Sequence, residues 1–137
     1  MFNIPVEEYT TYNPITGTEE MSPDMLRNLM NTHGIRHLPI VRDAKVVGVI
    51  SDRNLRFAQT LSEAHKIQIT AADIMATDPV MVTSGAMLDE VAFVMSEKKI
   101  GSVIIIDEET SNFIGIFTLT DALNALIEIT RAVRHSG

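Results

Sequence analysis

Cysteine and tryptophan are both absent from the 137-residue chain. Without cysteine there is no disulfide, no thiolate metal site and no cysteine nucleophile, a composition compatible with a cytoplasmic protein. Five Phe and two Tyr are the only aromatics, which leaves little material for stacking on bases. Positive charge is also scarce, with eleven Lys and Arg against eighteen Asp and Glu for a formal charge of −7. The global field therefore repels nucleic acid and anionic membranes, and an anionic ligand has to find a local basic pocket. No apolar run approaches the ~20 residues needed to span a bilayer. The start, Met1 to Pro5 followed by Glu7 and Glu8, has neither the basic nor the apolar region of a secretory signal.

Several motifs of catalysis are missing as well. There is no Gly-x-x-x-x-Gly-Lys or Gly-x-Gly-x-x-Gly run and no Gly-x-Ser-x-Gly elbow, and no acid/base pair stands out at useful spacing. His33 and His37 have the four-residue spacing of helical zinc ligands, but Gly34 and a strand start intervene and no third ligand is evident, so no metal site is expected. Asp107, Glu108 and Glu109 read as solvated charge in a turn. What remains, 45% hydrophobic and 21% charged residues, is the composition of a chain that folds.

The chain is written twice. At an offset of 65, Leu26–Met30 aligns with Val91–Met95, Ile35–Val41 with Ile100–Ile106, and Asn13-Pro14-Ile15 with Asp78-Pro79-Val80. The offset then becomes 67, aligning Gly48–Ser51 with Gly115–Thr118, because the second copy has two extra residues in the polar turn Asp107–Asn112. Each copy reads as strand, helix, two strands joined by a turn, and helix. Ser22-Pro23 caps the first helix, Met25, Leu26, Leu29 and Met30 form its stripe, and Gly34 ends it. Leu38–Val41 and Val46–Ile50 are strands, and Asn54 to about Ala64 the closing helix. In the second copy Met87, Leu88, Val91, Val94 and Met95 form the stripe, Val103–Ile106 and Phe113–Phe117 the strands, and Asp121 to about Val133 the last helix. The joint between copies, Ile67–Ala76, has no flexible composition, so the halves are expected to pack as one module.

Ile69–Met75 followed by Asp78-Pro79-Val80, then the helix, the paired strands and an ending of the form Gly-h-h-[Ser/Thr]-x-x-[Asp/Asn], resembles the cystathionine-β-synthase-type (CBS) domain. Gly48–Asn54 and Gly115–Asp121 are the two endings, and the resemblance covers about residues 9–132. It implies an α+β fold: tandem β-α-β-β-α repeats, 9–66 and 67–134, packed with pseudo-twofold symmetry as a Bateman module, with 1–8 an N-terminal extension. It also implies a non-enzymatic regulatory protein without a required cofactor, binding AMP, ADP, ATP or S-adenosylmethionine in clefts between the repeats. A homodimer and a regulated partner protein are expected. The rival reading is a structural or interaction subunit that binds no nucleotide.

A physical reason for the ending stands beside the resemblance. A hydroxyl leaving a strand, with an acceptor three residues on at a helix start, sits beside unpaired amides whose partial positive charge favours phosphate, and a carboxylate there can accept from a ribose diol. Ser-x-x-Asn and Thr-x-x-Asp are equally what an ordinary helix cap looks like. By resemblance Thr118 would approach the phosphate side and Asp121 the ribose, with Tyr12, Asn13, Pro14 and Ile15 and the segment Leu38, Pro39 and Ile40 lining the base. Gly101 and Ser102 bring no charge there. At the other ending, Ser51 and Asn54 have Asn where Asp is usual; by the same resemblance Arg36, His37 and Arg53 would supply positive charge for a phosphate, the alternative being a solvated basic surface, and Thr77, Pro79, Val80, Ile100, Gly101 and Ser102 would form the opposite wall. The apolar stripes at Met25–Met30 and Met87–Met95 are expected to leave surface that a dimer covers.

Overall fold

The computed structural model describes residues 3–61 and 68–136. These form two compact units, one of Met1–Asn13 with Val80–Gly137 and one of Pro14–Pro79. The division differs from that of the sequence duplication, because the opening segment of each repeat belongs to the unit built from the other. Of the segment 1–8, expected as an extension, the described residues 3–8 supply a fully buried Val6 to the core that also holds Leu88, Val91, Val103 and Phe117. Backbone pairing holds the segment there, with the Val6 N–H donating to the Ala86 carbonyl at 2.7 Å and the Leu88 N–H to the Ile4 carbonyl at 2.7 Å.

In the unit of Pro14–Pro79, helix α1 (Pro23–His33) starts as expected from a Ser22 cap, whose Oγ accepts the Met25 N–H at 3.2 Å. Gly34 ends it in the left-handed conformation, at φ 62°. Strands β2 (His37–Arg42) and β3 (Lys45–Ser51) form a hairpin, and α2 (Asp52–Gln59) follows without a loop. The expected closing helix thus begins two residues earlier than Asn54, and its expected last turn, 62–64, lies outside the described residues. A short helix α3 (Ala71–Ile74) leads to β4 (Ala76–Thr77), which pairs antiparallel with β3.

In the other unit a four-stranded sheet runs in the order β1 (Thr11–Tyr12), β7 (Phe113–Thr118), β6 (Ser102–Ile106), β5 (Met81–Thr83). Only β5 and β6 are parallel. Helix α4 (Leu88–Lys98) precedes β6, and α5 (Leu119–Ser136) follows β7, extending the expected last helix at both ends. No helix among the described residues is long and apolar enough to cross a membrane.

The duplication persists in backbone detail. Left-handed residues recur at both offsets: Asn13 with Asp78, Gly34 with Lys99, and Ala44 with Ser111. The hairpins shift register between Ile40 and Val41 and between Ile105 and Ile106, again 65 apart. The single parallel bridge Gly17–Ile40 is the counterpart of Val82–Ile105 in the β5–β6 pair. A side chain at Gly17 would bring its Cβ to 3.1 Å from Ile40 Cδ1 and 3.2 Å from Leu38 Cδ2, a tight fit against two buried side chains.

The stripes of α1 and α4 belong to the cores. Leu26 and Met30 are buried with Ile40, Ile50 and Leu55, and Leu88, Val91 and Met95 with Val103 and Phe117. On those helices Met25 and Phe93 remain as exposed large apolar residues. Helix α5 turns Ala122, Ala125 and Ile129 to the core while Leu119, Leu123, Leu126, Ile127 and Val133 are exposed. Small residues let the helix approach its sheet, and the bulky ones are left on the remaining face.

Candidate functional site

Strand β7 runs straight into α5, so Thr118 and Asp121 are fixed by both elements. Asp121 Oδ2 accepts the Thr118 N–H at 2.9 Å and the Thr118 hydroxyl at 3.1 Å, and Thr118 Oγ1 accepts the Asp121 N–H at 3.3 Å. A carboxylate in the first turn also faces the positive end of the helix dipole. From the neighbouring strand, the Thr11 hydroxyl donates to Asp121 Oδ1 at 3.1 Å, with Oδ2 at 3.3 Å. Gly101 belongs to the same corner, its carbonyl accepting the Leu119 N–H at 3.1 Å, and Ser102 is paired with Thr118 across the sheet. Asp121 Oδ2 is engaged twice by Thr118, whereas Oδ1 retains acceptor capacity beyond the Thr11 hydroxyl.

The corresponding end of the other unit has the same outline and different chemistry. Asn54 Oδ1 accepts the Ser51 N–H at 2.7 Å and the Ser51 hydroxyl at 2.8 Å. His37 is paired with Ser51 across the β2–β3 hairpin, and burial, together with the adjacent Arg36 charge, holds its imidazole below the usual range. Arg36 and Arg53 are exposed. Beside them Asp52 binds Arg27 at 2.7 Å and Arg56 at 2.7 Å, and the Arg27 hydrogen bond leads the causes that draw its carboxyl below the ordinary carboxylate range.

A third example shows how much of this geometry is capping alone. Asp73 Oδ2 accepts the Thr70 N–H at 2.9 Å and the Thr70 hydroxyl at 3.3 Å, at the head of the four-residue helix α3. Thr-x-x-Asp hydrogen bonding is therefore a cap wherever it occurs. What sets Asp121 apart is its position at a strand end, its half-burial where Asp73 is exposed, and the second hydroxyl from Thr11.

The remaining expected residues divide between the units. Asn13 stays with the Thr118 unit, its N–H donating to the Ile114 carbonyl at 3.3 Å, and Val80 and Ile100 pack on that unit's core. Pro14, Ile15, Thr77 and Pro79 belong to the other unit, where Thr77 is paired with Gly48. Leu38, Pro39 and Ile40 are fully buried. His33 closes α1 and His37 opens β2, and no cluster of three or more His, Asp or Glu among the described residues is placed to hold a metal ion.

The model of the CBS domain matches residues 6–66 and again 71–128, nearly the whole chain in two copies. The chain belongs to the CBS domain family. Among solved structures, this CBS pair is similar to a protein from Vibrio cholerae ascribed to acetoin utilization (AcuB), at 30% identity, 98% coverage of both chains and a TM-score of 0.82. It is also similar to the CBS domain pair of protein MJ0100, crystallised with 5′-methylthioadenosine and S-adenosyl-L-methionine, at 26% identity and a TM-score of 0.79, over 92% of this chain and 97% of that one. Among curated proteins, an inosine-5′-monophosphate dehydrogenase of Korarchaeum cryptofilum is 30% identical over 84% of the chain. That match spans 23% of the enzyme's length, so the similarity is to a minor part of it.

Within the CBS pair, Thr11 is the residue sequence reasoning missed. It lies one position before the segment from Tyr12 taken as the opening strand, and nothing in a Thr-Thr-Tyr run marks a partner 110 residues away. The repeat offset supplies a signal: Thr11 aligns with Ala76, and β1 and β4 pair equivalently with β7 and β3, as Thr11 with Ile116 and Ala76 with Val49. The glycine that opens each ending has a packing cause in the same strands. A Cβ on Gly115 would lie 2.7 Å from the Thr11 carbonyl oxygen, and one on Gly48 would lie 3.0 Å from that of Ala76 and closer still to the Met75 side chain.

Proposed function

We propose that this CBS pair is a non-enzymatic regulatory module that binds an adenosine-containing ligand of the AMP, ADP, ATP or S-adenosylmethionine class and works in the cytoplasm, where such ligands are available. The observation that carries the reading is the Asp121 carboxylate, fixed at the head of α5 by Thr118 and Thr11 with acceptor capacity left on Oδ1. In this role Oδ1 accepts from a ribose hydroxyl, and the Thr118 hydroxyl and the amides of the α5 first turn face the phosphate side of a nucleotide. The ligands held by the MJ0100 pair, which covers nearly the same length of chain, support the ligand class. Thermal denaturation with each of the four compounds tests it. Native-state binding at a hundred times Kd adds about 2.7 kcal/mol, which raises Tm by several degrees. A chain whose Tm none of the four moves is not such a sensor.

The exposed face of α5 favours a second reading, an interaction subunit that associates through its helices. Leu119, Leu123, Leu126 and Ile127 give it an apolar surface on two successive turns. We propose that a homodimer covers this face, with or without ligand. Light scattering at micromolar concentration is expected to give twice the 15.1 kDa chain mass and Leu126→Glu to lower it to one. A monomeric wild-type chain overturns the assignment.

A further inference from the structure

Helices α2 and α5 align at an offset of 67, and their outer faces have opposite character. On α5, Leu119, Leu123, Leu126, Thr130 and Val133 are exposed and follow one another at intervals of four, three, four and three residues. At about 100° per residue these five fall within an arc of about 80°, which no charged residue of the helix shares. The positions of α2 aligned with Leu119, Leu123 and Leu126 hold Asp52, Arg56 and Gln59. Asp52 is bound to Arg56 and to Arg27, each at 2.7 Å. One repeat thus carries an apolar seam where the other carries ion pairs.

We infer that the seam is filled by the α5 helix of a second copy, laid antiparallel along it as a two-heptad coil in which α2 takes no part. The inference rests on the proposed homodimer and assigns its contact and its direction. An interval of four and three is the spacing with which two helices interlock side chains along a shared seam. Thr130 does not interrupt it, because its hydroxyl donates to the Leu126 carbonyl at 2.7 Å and is satisfied within the helix.

The end of the helix calls for a partner independently of the spacing. Ile129 is the last residue of α5 packed on the core, yet the helix continues to Ser136 with every residue from Thr130 onward exposed. Two turns supported only by their own hydrogen bonds are marginal in water, the more so with the β-branched Thr130 and Val133 among them.

Charge decides the direction. The acids of α5, Asp121 and Glu128, all precede its bases, Arg131 and Arg134. A parallel pair would set like ends and like helix dipoles side by side, whereas an antiparallel pair places each basic end beside an acidic one. A twofold axis crossing the seam near Glu128 repeats the contact in both copies and closes it. Leu123 then lies against Val133 of the partner subunit, and the free end of each helix is covered. Contact of α5 with α2 would instead press leucines onto Asp52 and Arg56, stripping water from a charged pair.

The chain has no cysteine, so introduced cysteines report the pairing without background. Under mild oxidation the double variant Leu123→Cys/Val133→Cys is expected to form disulfide-linked dimers. Each single variant is expected to stay unlinked, since positions 123 and 133 are about 15 Å apart along the axis and each lies opposite the other, not opposite itself. Gln59→Glu, at the position of α2 aligned with Leu126, is expected to leave the mass by light scattering at twice that of the chain. Circular dichroism melts check that the variants fold. Cross-linking of Val133→Cys alone, no cross-linking of the double variant, or a monomeric Gln59→Glu chain each overturn the antiparallel α5 pairing while leaving the homodimer standing. A monomeric wild-type chain overturns the homodimer and the inference together.

Discussion

Thr11 and Asp121, 110 residues apart, share a hydrogen bond of 3.1 Å that ties the edge strand β1 to the head of α5. Through it the start of the chain becomes part of the Thr118 end. Asp121→Ala removes both this contact and the helix cap, for an expected loss of about 0.5–2 kcal/mol of stability. It also removes the proposed ribose acceptor, for about 1.5–3 kcal/mol of binding, a ten- to hundredfold weakening. Thr11→Val, losing one exposed hydrogen bond, is expected to cost about 1 kcal/mol or less of stability. Urea melts and calorimetry with AMP check both, and an Asp121→Ala chain of wild-type stability contradicts the capping assignment.

Gly115→Ala places a Cβ 2.7 Å from the Thr11 carbonyl oxygen, a backbone atom that moves only with its strand. The expected outcome is a shift of β1 and a loss of about 1–3 kcal/mol. Hydrogen exchange is the discriminating measurement, since the Tyr12 and Asn13 amides should lose protection before those of β6. Uniform loss across the sheet would place the strain elsewhere.

Lys99 ends α4 in the left-handed conformation, at φ 55°, where its aligned residue in the other repeat is Gly34, at φ 62°. A left-handed conformation costs a residue with a Cβ about 1–2 kcal/mol, partly offset by the greater freedom glycine has in the unfolded chain. Lys99→Gly is therefore expected to stabilise the protein by about 0.5–1 kcal/mol, and Gly34→Lys to destabilise it comparably. Denaturant midpoints at constant slope measure both.

The imidazole of His37 takes a proton less readily in the folded chain than in the unfolded one, through burial first and Arg36 second. The unfolded state thus binds more protons as pH falls through the ordinary histidine value near 6.5 and below it, so this contribution favours the native state above that range and declines beneath it. Tm is expected to fall between pH 7.5 and 5.5, with a shallower slope in His37→Gln. Equal slopes in the two proteins would remove His37 as the source. The carboxyls of Asp52 and Asp107 are shifted downward and act in a separate, more acidic window, where protonating them costs stability.

The duplication, the element order and the hairpins were legible from sequence, because each rests on local rules. Apolar period, a Ser-Pro helix start, a glycine stop and short β-branched runs act within a few residues and were written twice in one register. The apolar stripes of α1 and α4 were legible too, but which helix would keep an uncovered face was not. Met25–Met30 reads as amphipathic whether or not a sheet covers it, and only the assembled core shows that α5 turns Ala122, Ala125 and Ile129 inward. Likewise Thr118, Asp121, Ser51 and Asn54 could be named from the duplicated endings and the family they resemble, each ambiguous between cap and site. Tertiary structure decided the rest. It placed the opening segment of the chain with the second repeat and gave Asp121 the Thr11 hydroxyl as a partner. Those are contacts between residues far apart in the chain, and no local pattern encodes which lone pair a distant hydroxyl will take.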